Sequence, residues 1–558
     1  MRHWIALTVL VLLAGSRGAH ADDAPAYFCR PTQPCWPSDV EWTALRGELA
    51  GELIQPAPAP PSTSPFELQD AAGATQSQGW IDAWTSAPST YAVVAKSAAD
   101  IAAAVKLAHA HHLRVVVKGT GHDYLGRSSA PDSLLIWTHA MRAITVVDAF
   151  TPAGCKPGTP AVPAVTVEAG VRWLEAYREV TGKHGRYVQG GGCTSVGAAG
   201  GFLQGGGFGS WSNKYGIAAA SLVEAEVVLA DGQIVTANAC QHADLFWALR
   251  GGGGGTYGVV TKATLRTYEL PTMFGRVAGT IAAKTDADYA DLIDHFVAFY
   301  RASLADEHWG ESVVLHDDKL DIGLASQGLT VADEEKIWAP FRAWLDAQQD
   351  RYTVKLDSYA TPAATMWSWD FFTKAHYPIS GTEQGWWWTS NEEEVGVTWS
   401  AYQSRWITRD HFTGAAGHAL AAALVKAAHE WTVSIHFQKG QAAAAADARA
   451  RDREIAMNPQ VLDAAGLAII GALGDAKDRG KLEHDRDRVA AAMKILAAAT
   501  PGAGSYVNET DYFEADWKRA FWGANYRKLL AIKHKYDPDG VFFCHHCVGS
   551  DEALARAH

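Results

Sequence analysis

The sequence predicts a two-part globular protein of the α+β class, with α/β as the alternative for its first part. Helical and strand-like patterns alternate between about residue 85 and residue 268. From residue 270 to about 500, long helical stretches are mixed with tryptophan-rich segments. The chain has 558 residues, 48% of them hydrophobic and 20% charged, which is ample material for a core.

The N-terminus has the pattern of a secretory signal peptide over residues 1–21. A short basic start precedes an apolar run at residues 5–14, which is too short to cross a bilayer. A small-residue cleavage site follows at residues 19–21. We therefore expect a mature chain that starts near Asp22, in the periplasm or outside the cell.

Residues 22–84 form an N-terminal extension and linker. A short helical pattern covers residues 39–53, and a Pro/Ser-rich stretch follows at residues 55–65. The first unit then begins with a strand at 91–97 and an amphipathic helix whose N-cap is Ser97. Its later elements are strands at 114–118 and 164–170, a helix at 172–185, a hairpin at 222–238, a helix at 244–250 and a strand at 257–270.

The rest of the chain is predicted to be rich in helix. The alanine-rich residues 439–456 have a helical pattern. Residues 517–543 read as a helix stopped by Pro538 and Gly540, followed by a short strand. The tryptophans of residues 367–388 could stack on a sugar or an aromatic ring, and core packing explains them equally well.

Charge and cysteine usage limit the partners. The net charge is −13 without a long basic run, so neither nucleic acid nor an anionic membrane surface is an expected partner.

Seven cysteines in an exported chain predict disulfides, and the odd number leaves at least one with another role. For the sequence CHHC at 544–547 we favour a disulfide, within the motif or to distant partners, over a metal site, because adjacent residues cannot easily surround one ion.

Two glycine-rich loops indicate a bound cofactor. Ten of the twenty residues from Gly190 to Gly209 are glycine, and residues 251–258 form a second run. Such density suits a backbone that must approach a ligand closely, and backbone N–H groups can hold a pyrophosphate without basic side chains. The sequence lacks the P-loop and nucleophile-elbow motifs.

Five motifs carry a resemblance to a known family. They are KGTGHDYLGRSS after a strand, GGGCTSVG, GGGFGSWSNKYGIAAASLVEAEVVLADGQ, DLFWALRGGGGGTYGVVT and NYRKLLAIKHKYDPDGVFF. In this order and spacing the chain resembles, from about residue 85 to its C-terminus, the FAD-linked oxidases of the vanillyl-alcohol oxidase superfamily. Within it, the berberine-bridge-enzyme-like branch is most similar, particularly its isoamyl-alcohol-oxidase-like members.

The resemblance implies a domain plan. A PCMH-type FAD-binding domain of two α+β lobes would cover residues 85–268. An α+β substrate domain, an antiparallel sheet covered by helices, would be inserted at 269–500. The segment 501–558, with its berberine-bridge-like motif, would return to the FAD domain.

The resemblance also implies a covalently bound FAD. His122 and Cys193 lie at the positions where family members bond the flavin ring, and Val196 lies where small side chains admit dioxygen. Further cofactor contacts are implied at Gly119, Thr120, Gly121, Asp123, Ser128, Gly197, Gly209, Gly216, Val260, Asn525 and Tyr526.

The implied chemistry is hydride transfer from a small alcohol-type substrate, with dioxygen reduced to hydrogen peroxide. A base must remove the hydroxyl proton. The family's active-site strand is similar to residues 506–513, so Tyr506 and Glu509 are the candidates; Tyr506 would need a depressed pKa to serve. His436 and Gln438 are weaker candidates. A dehydrogenase with another electron acceptor and a flavin-bearing binding protein without turnover remain alternatives.

Overall fold

The computed structural model describes residues 28–59, 64–365 and 394–555. Three β-sheets with covering helices make up this part of the chain, which confirms the α+β class. The signal-peptide pattern, linker residues 60–63 and the tryptophans of 367–388 lie outside the described residues.

The strands and helices are numbered here along the chain. The strands are β1 (Glu52–Ile54), β2 (Gly79–Trp80), β3 (Trp84–Thr85), β4 (Tyr91–Val94), β5 (Arg114–Lys118), β6 (Ser133–Trp137), β7 (Ile144–Phe150), β8 (Val162–Glu168), β9 (Arg186–Val188), β10 (Leu222–Val228), β11 (Ile234–Asn238), β12 (Val259–Glu269), β13 (Met273–Ala283), β14 (Trp309–His316), β15 (Lys319–Gln327), β16 (Tyr352–Pro362), β17 (Thr398–Thr408), β18 (Val433–His436) and β19 (Ala464–Gly474). The helices are α1 (Asp39–Glu48), α2 (Pro65–Gln69), α3 (Ala98–His111), α4 (Trp173–Tyr177), α5 (Gly201–Gly205), α6 (Ser212–Tyr215), α7 (Ala243–Ala248), α8 (Asp286–Phe299), α9 (Val331–Asp346), α10 (Gly414–Glu430), α11 (Ala446–Asp452), α12 (Arg479–Ala499), α13 (Trp517–Trp522), α14 (Tyr526–Tyr536) and α15 (Ser550–Ala555).

The first sheet has the order β1-β4-β6-β5. Strands β4, β6 and β5 are parallel, and α3 connects β4 to β5. The predicted cap of α3 is confirmed, because the side chain of Ser97 accepts a hydrogen bond from the backbone N–H of Asp100. Strand β1, from the N-terminal extension, adds an antiparallel edge against β4.

The second sheet has the order β11-β10-β12-β8-β7, with β9 paired to β12. The predicted hairpin is confirmed, since β10 and β11 pair antiparallel from Glu224–Asn238 to Val228–Ile234. Short helix α4 packs its fully buried Trp173 into the core of this lobe and continues into a π-helical turn, Arg178–Lys183.

The third sheet has nine strands in the order β16-β13-β15-β14-β18-β19-β17-β2-β3. Helices α8, α9, α10 and α12 contact it, and alternate residues such as Val277 and Val313 pack into that helix-covered core. Strands β2 and β3 precede the glycine-rich motifs in sequence, yet β2 pairs in parallel with β17 at the far end of this sheet.

Three local predictions were wrong. The helix in residues 439–456 is confined to α11, because the first alanines form turns. Residues 517–543 form α13, a 3-10 turn and α14, and residues 540–543 do not form the predicted strand. The supposed active-site strand is a tight turn, in which the N–H of Glu509 donates to the carbonyl of Tyr506 at 2.9 Å.

Six of the seven cysteines form disulfides, and the CHHC motif closes on itself. The pairs are Cys29–Cys35, Cys155–Cys240 and Cys544–Cys547. Cys193 lies outside these three bonds. Among the described residues, no helix has the length and apolarity to cross a membrane, and no group of three or more His, Cys, Asp or Glu side chains is arranged to hold a metal ion.

Candidate functional site

A cavity of about 770 Å³ lies between the glycine-rich loops and the face of the nine-stranded sheet that the helices leave open. Segments from all three sheets and from the C-terminal segment contribute to its wall. Twelve of the residues expected from the sequence line it: Gly119, Thr120, Gly121, His122, Asp123, Ser128, Cys193, Val196, Gly197, Val260, Tyr506 and Glu509.

One ion pair, between Asp123 and Arg127, stabilises the loop after β5. The carboxylate of Asp123 accepts hydrogen bonds from the backbone N–H of Arg127 at 2.6 Å and from its Nε at 2.8 Å. Gly121 has a φ of +74°, which a side chain would strain. Ser128 ends the loop with a buried hydroxyl that has no hydrogen-bond partner among the described residues.

His122 is a largely buried, neutral imidazole at the cavity wall, with 9% of its side chain exposed. Burial lowers its pKa to about 4. Its Nε2 has no hydrogen-bond partner in the described structure and lies 3.7 Å from the carboxylate of Glu394. That carboxylate also accepts hydrogen bonds from the hydroxyl of Tyr124 at 3.0 Å and from the amide of Gln76 at 3.1 Å. A neutral imidazole nitrogen beside a carboxylate can give up its proton and form a new bond.

Cys193 sits in a turn anchored on the start of α4. The N–H of Val196 donates to the carbonyl of Cys193 at 3.1 Å, and the N–H of Trp173 donates to the carbonyl of Val196 at 3.0 Å. The hydroxyl of Tyr177 binds the carbonyl of Gly191 at 2.6 Å. These bonds fix a glycine-rich segment that carries no regular structure of its own.

The glycines of the second loop form a cradle with room for a ligand. A Cβ on Gly200 or Gly201 would meet nothing within 4 Å, and both residues line the cavity. Side chains at these positions would therefore project into free space that a cofactor could otherwise fill.

Four expected cofactor contacts do not line the cavity. Gly209 and Gly216 are glycine for packing reasons: a Cβ on Gly209 would lie 2.0 Å from the carbonyl oxygen of Gly190, and Gly216 has a φ of +88° beside Asp452. Asn525 donates to the carbonyl of Met457 at 2.8 Å, and the hydroxyl of Tyr526 accepts from the N–H of Gly549 at 3.3 Å.

The two candidate bases lie close together at the cavity wall. The hydroxyl oxygen of Tyr506 accepts hydrogen bonds from the N–H of Gly207 and from the side-chain amide of Asn508, both at 3.0 Å. Burial and the carboxylate of Glu509 raise the pKa of Tyr506, opposite to the depression that a tyrosinate base needs. Glu509 forms an ion pair with the ammonium group of Lys439.

Glu311 is a wall residue that the sequence did not reveal. It lies within β14 but has a φ of +68°, a strained conformation for a residue with a side chain. Its carboxylate accepts hydrogen bonds from the hydroxyl of Ser210 and from the amide of Gln438, the latter at 3.2 Å. Gln438 and His436, the weaker candidates, line the same wall.

Two family matches cover the parts of the chain that build this cavity. Residues 89–238 match the family described as FAD binding domain, and residues 505–549 match berberine and berberine like. A protein of Arthroderma benhamiae described as an uncharacterized FAD-linked oxidoreductase is 32% identical over 614 residues, which cover 100% of both chains. A VAO-type flavoprotein oxidase of Thermothelomyces thermophilus is 29% identical over 592 residues, 98% of this chain and 97% of that protein.

Solved structures agree with these matches. The crystal structure of a VAO-type flavoprotein from Myceliophthora thermophila superposes with a TM-score of 0.78 and 26% identity, covering 94% of this chain and 97% of that one. Glucooligosaccharide oxidase from Acremonium strictum has a TM-score of 0.64 at 21% identity, over 83% of this chain and 92% of its own, and this likeness concerns the fold alone.

The fold and the site define an FAD-dependent oxidoreductase. The chain belongs to the FAD-linked oxidoreductases, its residues 505–549 match the berberine-like family, and VAO-type flavoproteins are among its similar proteins. The residues at the cavity fit a flavin nucleotide. His122 and Ser128 present buried polar atoms without partners among the described residues, and Gly200 and Gly201 leave an open cradle.

Proposed function

We propose that the protein is an exported oxidase that removes a hydride from an alcohol, a sugar or a phenolic substrate and reduces dioxygen to hydrogen peroxide. The observation that carries the proposal is that His122, Cys193, Tyr506 and Glu509 line one cavity. Bound FAD supplies the ring that accepts a hydride and passes two electrons to dioxygen.

We further propose that FAD is held covalently by His122 and Cys193. The neutral imidazole of His122 and the turn that holds Cys193 at the same cavity support this. The published description of the glucooligosaccharide oxidase names a 6-S-cysteinyl, 8α-N1-histidyl FAD in that enzyme. Two such anchors would retain the cofactor in a wide cavity without closure of the protein around it.

Glu509 is the proposed acceptor of the substrate's hydroxyl proton. Its carboxylate faces the cavity and is held by Lys439, whereas Tyr506 stays protonated because burial raises its pKa. The hydroxyl of Tyr506 already accepts two hydrogen bonds, so its own proton is directed elsewhere and can orient the substrate oxygen.

Export is the proposed fate of the chain. The signal-peptide pattern of residues 1–21 supports it, and so do the three disulfides, which persist in oxidising compartments.

A substrate panel with peroxide detection tests the proposed function. Purified protein is mixed with primary alcohols, oligosaccharides and phenols in air, and peroxide and flavin absorbance are recorded. Flavin bleaching by substrate without air, followed by peroxide on aeration, is the expected result. Bleaching that only an artificial acceptor reverses would identify a dehydrogenase. No bleaching by any compound would favour a binding protein.

A further inference from the structure

The charged groups of the cavity wall are nearly all paired. Six Asp, Glu, Lys or Arg side chains line the cavity: Asp123, Arg127, Arg276, Glu311, Lys439 and Glu509. Asp123 binds Arg127 and Glu509 binds Lys439, while the carboxylate of Glu311 accepts two neutral hydrogen bonds. Arg276 is the exception among the described residues.

Arg276 projects from β13 onto the open face of the sheet. Its neighbour Val277 points the other way, into the helix-covered core. The guanidinium lies over β15 at Gly323, where a Cβ would come within 3.0 Å of its Nη2. Its Nε is buried, and the structure gives the guanidinium no hydrogen bond or ion pair with any described residue.

A partly buried cation without a partner lowers the stability of the folded protein unless a ligand pairs with its charge. Arginine stays protonated at physiological pH, and a buried charge is stable only when it is paired or hydrogen-bonded. Its planar fork of donors matches the two oxygens of a carboxylate. The wall thus contains an anion-binding group that no acidic side chain of the described residues satisfies.

We propose that Arg276 binds a carboxylate of the substrate, so that the oxidised compound is a hydroxy acid. This inference rests on the proposed oxidation at the same cavity. The carboxylate forms charge-assisted hydrogen bonds with the guanidinium, and Ser312 on the next strand, which also lines the cavity, flanks this site.

The sheet sets the separation between the anion and the reacting carbon. Gly323 on β15 pairs with Ser312 on β14, which pairs with His436 on β18. Two strand spacings correspond to ~10 Å. Gln438 and Lys439, which contact Glu311 and Glu509, lie two and three positions after His436. The substrate is therefore elongated, with its carboxylate at the end remote from the oxidised hydroxyl.

Binding of an unreactive probe tests the anion site without turnover. The holoenzyme is titrated calorimetrically with biphenyl-4-carboxylate and with the neutral biphenyl-4-carboxamide. We expect the carboxylate to bind about 10- to 100-fold more tightly, the range of one strong charge-assisted pair. Arg276→Gln should remove this preference, and Arg276→Lys should retain only part of it, because an ammonium lacks the fork. The exposed Arg301→Gln is the control.

Equal affinities for the two probes in the wild type, absence of binding, or an unchanged preference in Arg276→Gln would overturn the inference. Circular dichroism of each variant confirms that it is folded.

Turnover separates this inference from the proposed function. 4′-(Hydroxymethyl)biphenyl-4-carboxylate and its carboxamide are compared as substrates. A carboxylate preference in binding without oxidation of either alcohol would contradict the proposed oxidase and keep the anion site. Oxidation of both alcohols at equal kcat/KM would keep the oxidase and overturn the anion site.

Discussion

The two ends of the cavity are built in different ways. At the cofactor end, His122 and Cys193 lie in two loops, and the first of these loops is held by an ion pair between near neighbours in sequence, Asp123 and Arg127. At the substrate end, Arg276 and Glu311 come from two strands of one sheet, and Gln438 comes from the 3-10 turn that follows a third strand, β18. The proposed attachment residues are therefore set by the local folding of two loops, whereas the substrate wall depends on the register of distant strands.

The largest expected effect concerns the loops of the cofactor end. In the double variant His122→Ala/Cys193→Ala we expect complete loss of covalent flavin, because both proposed attachment atoms are gone. Acid precipitation followed by absorbance of the pellet measures the bound fraction. Each single variant should keep one bond and a yellow pellet. Free FAD released from acid-precipitated wild type would show that the loops hold the cofactor only by contacts.

The second-largest expected effect concerns removal of the substrate's hydroxyl proton. Glu509→Gln keeps the shape of the side chain but removes the proton acceptor, so the rate of flavin reduction by substrate should fall about 100- to 10,000-fold. Tyr506→Phe should cost less, because the buried phenol is protonated. Anaerobic stopped-flow absorbance gives both rates. A nearly silent Glu509→Gln with a damaging Tyr506→Phe would reverse the roles, and two silent variants would direct attention to His436.

Substitution of Glu394 tests whether a residue distant in sequence contributes to the cofactor end. Its carboxylate reaches His122 from 272 positions along the chain, and we expect it to accept the imidazole proton when the flavin bond forms. Glu394→Gln should slow covalent attachment roughly 100-fold, the lower range for a lost proton acceptor. The measurement is the flavin fluorescence of denatured protein against time after FAD is added to apoprotein. Glu394→Asp, which keeps a carboxylate, should recover part of the rate, and unaltered kinetics in Glu394→Gln would reduce Glu394 to a packing residue.

Acid should weaken the C-terminal segment that borders the cofactor end. His546 stacks on Trp517, and burial with the charges of His545 and Arg127 lowers its pKa to about 3. The unfolded chain binds this proton near pH 6.5, so stability is lost as the pH falls from about 6.5 towards 3. At pH 4.5 the loss is about 2–3 kcal/mol.

Urea unfolding at pH 7 and pH 4.5 measures this effect. His546→Gln should show a smaller difference between the two pH values, whereas the exposed His418→Gln should behave as the wild type does. An equal loss of stability between pH 7 and pH 4.5 in all three proteins would assign the acid sensitivity to groups other than His546.

The smallest effect concerns Val196, which lines the cavity beside Cys193. Val196→Ile adds one methylene to the wall and should slow reoxidation of the reduced flavin by air about 5-fold, or ~1 kcal/mol, by narrowing the path of dioxygen. Flavin reduction by substrate should stay nearly unchanged. Stopped-flow reoxidation at several oxygen concentrations checks this, with Val196→Ala as the control that enlarges the path.

The sequence predicted those parts of the molecule that depend on short-range patterns. The cap of α3 and the β10–β11 hairpin follow from neighbouring residues, and the glycine loops were found in the same way. Glu311 could not be found, because the Ser210 hydroxyl that binds it lies 101 residues away. The region of Tyr506 was mistaken for a strand because residues 506–513 are similar to the family's active-site strand, although hydrogen bonds fold it into a turn.

The strands of residues 52–85 limit where the protein can be truncated at its N-terminus. Strand β1 covers an edge of the first sheet, and β2 covers β17 of the nine-stranded sheet. A fragment that begins at residue 86 would retain every cofactor motif but expose two sheet edges at once. Open edges recruit strands from other chains. This short stretch therefore protects both halves of the molecule from self-association, in addition to its place in the fold.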